Sequence, residues 1–168
     1  MRKPLLCILL GVFTLLFSYA KGEVLAFSPV QNRGAHETAE AATEAVGDAI
    51  LDVFFNQGFI VTGTPLIKGS ELDYENTDNI KQSFETLPDY LLVIYCNYSS
   101  EVVRDKKGNI TPDWKDISWR LVRIESNTEV VRGTVNLKKL SQKTFSGKTE
   151  ETGSIIGKAA LSYLKADK

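Results

Sequence analysis

Ser146-Gly147-Lys148-Thr149 has the residue order that closes a phosphate-binding loop. In such a loop backbone N–H groups cradle phosphate, the lysine reaches the outer phosphates and the hydroxyl holds magnesium. The tetrad stands between a predicted strand and a predicted helix, the setting this chemistry requires. The leading glycine of the loop belongs five residues before Gly147, where the sequence has Gln142. The nest of backbone donors therefore lacks the residue that opens it. No apolar strand ending in aspartate supplies a magnesium ligand, so the tetrad reads as a capped loop rather than a nucleotide site.

Glu71, Asp73, Glu75 and Asp78 gather the oxygen ligands that calcium prefers, but a calcium loop counted from Asp73 needs glycine at its sixth position and has Asp78 there. A solvated segment leading into a helix amino terminus accounts for these acids. Cys96 and His36 would form a nucleophile and its base, yet no spacing brings them together, and no Gly-x-Ser-x-Gly elbow replaces them. His36 reads as an exposed residue in a first helical turn. Cys96 lies in the apolar stretch 90–98 and reads as a small buried hydrophobe. One histidine and two cysteines leave almost nothing for a metal site. The sequence therefore predicts no enzyme, no cofactor and no metal. Asn97-Tyr98-Ser99 and Asn109-Ile110-Thr111 match glycosylation sequons, the first within a predicted strand.

The 168 residues are 43% apolar and 24% charged with a formal charge of −1, which fits one ordinary globular domain and gives no basic excess for nucleic acid. The amino terminus is a separate matter. Arg2 and Lys3 precede an uncharged run over residues 4–20 that ends in Ser18-Tyr19-Ala20, small residues where a signal peptidase inspects the chain. Residues 1–20 are thus expected to be a signal peptide. The domain would span 21–168, beginning at Lys21, exported to the periplasm or another extracytoplasmic space. Cys7 sits early in the apolar run, poorly placed for lipid attachment, so no lipid anchor is expected.

The elements that position these residues read as one α+β unit in the order β-α-β-α-β-β-β-α, a mixed sheet with helices packed against it. Residues 24–30 form a first strand, and 31–34 a turn. From 36 to 57, Ala39, Ala42, Val46, Ile50 and Val53 recur at helical spacing, and Gly58 stops the helix. Residues 59–63 form a strand, and Asp78 opens a helix to about 87, ended by Pro88. Residues 90–95 are apolar on both faces, the mark of a strand covered on both sides, within a stretch reaching 103. Residues 104–116 read as a polar connector. Strands at 117–125 and 129–137 flank the turn Ser126-Asn127-Thr128, and Ile155, Ile156, Ala159, Ala160, Tyr163 and Leu164 mark a final helix after a Lys/Ser/Thr-rich loop.

Three stretches carry a resemblance: Phe27-Ser28-Pro29 closing a strand, the helix with small apolar spacing, and Gly58-Phe59-Ile60-Val61 opening the next strand. With Asp89-Tyr90-Leu91-Leu92-Val93, the strand 118–124 and the restart Asn127-Thr128-Glu129-Val130-Val131, they resemble the fold shared by three groups. These are the amino-terminal domain of TolB, the curli-secretion lipoproteins and the outer-membrane lipoprotein activators of penicillin-binding proteins. The similarity covers about residues 24–164, and where those families usually place Thr-Gly this chain has Asn127-Thr128. It implies a bacterial envelope protein working by protein–protein contact.

Cations cluster around the predicted hairpin, at Arg104, Lys106, Lys107, Lys115, Arg120, Arg123 and Arg132, while the first helix is acidic. Arg104, Lys106, Lys107 and Lys115 can steer an acidic partner or meet an anionic membrane surface, and Trp114 can supply an apolar anchor. These five residues of the connector are the expected partner-binding set. The function expected is that of a non-enzymatic accessory or scaffold protein of the envelope. The alternative is a periplasmic module that binds a small ligand or lipid.

Overall fold

The computed structural model describes residues 23–84, 88–104 and 108–166. Its elements are β1 (Val24–Asn32), α1 (Ala39–Phe55), β2 (Ile60–Gly63), β3 (Ile67–Gly69), α2 (Glu71–Glu75), α3 (Thr77–Lys81), β4 (Tyr90–Arg104), β5 (Ile110–Arg123), β6 (Thr128–Thr134) and α4 (Phe145–Ala166), with a 3-10 turn at Leu137–Lys139. The strands form one mixed sheet in the order β2-β1-β4-β5-β6. β2 and β3 pair in succession along one edge of β1, β4 runs parallel to its other edge, and β4-β5-β6 are antiparallel. The α+β architecture read from the sequence is the one observed.

β4 carries the both-faced burial that its composition announces. Leu92, Ile94, Cys96 and Tyr98 enter the larger core under α1 and α4, while Leu91, Val93 and Tyr95 enter a second core closed by Tyr74, Ile80 and Phe84. The period of two sends alternate side chains to opposite faces, so a strand covered on both must be apolar throughout.

α1 and α4 run side by side in the same direction. Gly153 lies against Val46, Ala49 and Ile50, Gly157 lies against Val53, and Lys165 donates to Gln57 Oε1 at 2.7 Å. A Cβ on Gly153 would stand 2.5 Å from the Val46 carbonyl oxygen and 2.6 Å from the Ala49 Cβ. The two helices touch through backbone, and only glycine permits it there.

Four features differ from the sequence reading. α1 starts at Ala39 rather than His36, because the His36 Nδ1 accepts from the Thr38 N–H at 3.3 Å and stands outside the first turn, half-buried rather than exposed. The segment before Pro88 holds a short strand and two short helices in place of one. Ser70 and Asp73 form a capping box on α2, and Asn76 caps α3; residues 85–87 of the expected helix lie outside the described residues. α4 starts ten residues earlier than its apolar spacing indicated, since the Thr144 hydroxyl accepts from the Gly147 N–H at 3.1 Å and caps it. Residues 110–116 are strand, not connector. The turn before β6 is as expected, and Asn127 adopts φ 51°, the left-handed conformation that asparagine tolerates.

Replacing Gly153 by Ala should lower stability by about 1–3 kcal/mol through overpacking, against the gain of about 1 kcal/mol that helix propensity alone gives. Urea unfolding of the purified variant checks both sign and size.

Candidate protein-contact site on the hairpin arm

β1 pairs with β4 as far as Gln31 opposite Cys96, and β6 meets β5 only from Ser118 inward. Beyond those points β4 and β5 continue as a two-stranded arm. Its root is irregular. Asn97 faces Asp116 and Tyr98 faces Trp114, so Lys115 is the extra residue of a bulge. The next registered pair is Val102 with Pro112, which leaves residues 99–101 opposite Asp113 alone. Bulges of this kind bend a ribbon and strengthen its twist.

Two devices hold the bent root. The Asn32 side chain stands in for a strand: its Nδ2 donates to the Tyr98 carbonyl and its Oδ1 accepts from the Tyr98 N–H, both at 2.9 Å. The Tyr98 hydroxyl meets the Thr43 hydroxyl at 3.0 Å, and Thr43 donates to Gln31 Oε1 at 2.8 Å, so this buried polar cluster ties the arm to α1 and β1. Burial raises the Tyr98 phenol above its ordinary range, leaving it a neutral hydrogen-bonding group. Trp114 then lies between Tyr98 and Phe145 of α4, with ring centroids at 6.3 and 5.1 Å. Rather than standing out as an anchor, this aromatic packs against the larger hydrophobic cluster and is half-buried.

The five expected contact residues therefore separate. Arg104 ends β4 and is exposed, Lys115 projects from the bulge and is exposed, and Trp114 packs inward. Lys106 and Lys107 lie outside the described residues. Val103 and Ile110, which the sequence analysis did not single out, stand near the end of the arm with 50% and 40% exposure. Of the remaining cations, Arg120 is buried beneath Tyr74, 5.2 Å from its ring centroid, and gives Glu75 Oε2 a hydrogen bond of 3.1 Å. Arg132 is held by Glu75 at 3.0 Å and Glu129 at 2.6 Å, which raises its own pKa and lowers that of Glu129. Arg123 lies 5.7 Å from the Tyr90 ring centroid. Arg104 and Lys115 have no ion pair with a described residue, so the positive surface contracts from the whole hairpin to the arm.

The other candidate chemistries take definite places. Burial pushes the Cys96 thiol up to about 12, so it is protonated at neutral pH and no nucleophile. Glu75 faces arginines, Asp73 accepts from the Ser70 N–H at 2.7 Å, and Asp78 pairs with Lys81. Gly147 and Lys148 belong to the first turns of α4 rather than to a loop. The backbone N–H of Gln142, where a phosphate-binding loop needs glycine, donates to Glu151 at 3.0 Å. The Ser141 and Gln142 amides hold the Glu151 carboxyl below its usual range, so a carboxylate of the chain itself takes those donors.

Trp114→Ala should cost about 2–4 kcal/mol by removing a large ring from between two others. Amide hydrogen exchange in residues 98–104 and 110–113 should quicken more than in residues 90–96.

A relative described as "Uncharacterized protein" from Treponema pallidum (strain Nichols) is 35% identical over 92 residues, 55% of this chain and 48% of that protein. The chain thus spans about half the length of that relative. Among solved structures, a PelC dodecamer from Paraburkholderia phytofirmans superposes with a TM-score of 0.48 at 16% identity, covering 86% of this chain and 90% of that one. The lipoprotein GNA1162 from Neisseria meningitidis superposes with a TM-score of 0.42 at 12% identity, covering 87% and 99%. A family model with the description "Uncharacterised protein" matches residues 24–165, and the chain belongs to that family.

Proposed function

We propose that the protein is an exported, non-enzymatic accessory protein of the bacterial cell envelope that acts by protein–protein contact, with the end of the β4–β5 arm as its contact surface. The observation that carries this reading is the pairing of charge and apolar surface on the arm. Val103 and Ile110 expose large apolar side chains next to Arg104, while Lys115 projects from the bulge without an ion pair to a described residue. Elsewhere on the sheet the arginines are engaged by Glu75, Glu129 and Tyr90. Exposed apolar residues flanked by unengaged cations suit a partner with an acidic rim around an apolar patch. The leader-like residues 1–20 support a partner outside the cytoplasm.

The arm is a suitable contact element because it is rigid at its root. The Asn32 clamp and the Tyr98–Trp114–Phe145 stack order it before binding, which lowers the entropy lost on association.

The test is affinity capture from envelope extract with the wild-type domain and with an Arg104→Glu, Lys115→Glu double variant. A stoichiometric protein partner should be retained by the wild type, and the variant should associate at least about tenfold more slowly with a weaker salt dependence. Equal capture by both proteins, or no stoichiometric partner at all, contradicts the assignment.

A further inference from the structure

A groove of about 380 Å³ runs between the arm, α1 and the first turns of α4. Its walls are Ala41 and Ala45 of α1, Ile110 and Pro112 of the arm, and Phe145 of α4. Ala41, Ala42 and Ala45 repeat at the spacing of one helix face beside the Val46 and Ile50 core stripe, and their short side chains leave a trough. The described lining holds no charged residue.

Its four hydroxyls are already engaged. Thr38 meets His36 Nδ1 at 3.1 Å, Thr111 donates to the Val103 carbonyl at 3.4 Å, Ser146 donates to Glu150 at 3.3 Å and Thr149 donates to the Ser146 carbonyl at 2.6 Å. A peptide laid in this groove would bring N–H and C=O groups that find few partners, at a cost for each one desolvated. A methylene chain brings none. At the arm end of the groove Arg104 stands opposite Ile110 in the β4–β5 register, which puts the two side chains on the same face of the ribbon. Arg104 is exposed and has no ion pair to a described residue, and the amino terminus of the 22-residue α4 adds partial positive charge near Phe145.

We propose that this groove binds a single-chain fatty acid, with the acyl chain along the alanine wall and the carboxylate at Arg104. The site shares Ile110 and Arg104 with the contact surface of the arm, but its alanine wall on α1 lies outside that surface, and fatty-acid binding needs no protein partner. No covalent step is involved. A groove of about 380 Å³ has room for one acyl chain rather than two, which favours a free fatty acid over a diacyl phospholipid.

The experiment is a fluorescence titration of the full domain with dansyl-undecanoate, below its micellar concentration, followed by displacement with saturated fatty acids of increasing length. Displacement should be saturable at one site per chain, and affinity should rise about fourfold per methylene until the groove is filled. Ala41→Trp, at an exposed position on the groove wall, should weaken binding at least about tenfold with an unchanged circular dichroism spectrum. Arg104→Ala should weaken dodecanoate but leave dodecanol unaffected. Absence of saturable binding, equal affinity in Ala41→Trp, no difference between acid and alcohol in Arg104→Ala, or binding to anionic phospholipid vesicles without displacement by fatty acid would each overturn the proposal. Loss of partner capture with retained fatty-acid binding would leave this site standing and remove only the contact function.

Discussion

A strand of 15 residues beside one of 9 must leave its far end without a neighbour on that edge, and β4 beside β1 is such a pair. As far as Cys96 the sheet dictates the course of β4: both edges are paired and both faces are covered. Past it, only β5 follows. The backbone groups on the open edge then need other partners, and the first of them, at Tyr98, is met by the Asn32 side chain, the last residue of β1. The bulges, the outward Lys115 and the inward Trp114 follow from that handover.

The arm also explains where charge is usable. Arg120 is buried and would be costly without Glu75; removing one member of such a pair leaves a desolvated charge, although the intact pair adds little net stability. With Arg120 and Arg132 committed to Glu75 and Glu129, what remains for a partner on the described surface of the hairpin is Arg104 and Lys115. A formal charge near zero thus coexists with a local positive feature, because the compensating acids are spent on the sheet or spread along α1.

The parts of this picture that were legible in the sequence are those set by periodicity. Residues 90–95 state a doubly covered strand, Gly58 with φ 80° ends α1, and Asn127 with φ 51° turns the chain into β6. The arm was not legible. Residues 110–116 mix threonine, proline, aspartate and lysine, a composition that reads as loop, and only the structure shows that no described strand pairs with the far side of β5 there. Pro112 is tolerated at such an edge, where no donor is missed. The start of α4 was hidden because its apolar spacing begins only where it crosses the core, while its first turns are held by Thr144 and by Glu151 with the Ser141 and Gln142 amides. Trp114 was read as an outward anchor because its packing neighbours Tyr98 and Phe145 are distant in sequence. Of the residues proposed for contact, Arg104 and Lys115 could be named from charge alone; naming Val103 and Ile110 needed their exposure, which sequence does not report.

The reading of the arm as a protein-contact surface stands or falls on what the arm touches in the cell. The most direct measurement places a photocrosslinking amino acid in living cells at position 103 on the arm and, in a second strain, at position 48 on the acidic outer face of α1. A discrete crosslinked species is expected from position 103 and none from position 48. A discrete species from position 48 with none from position 103 would contradict it and assign the contact to α1.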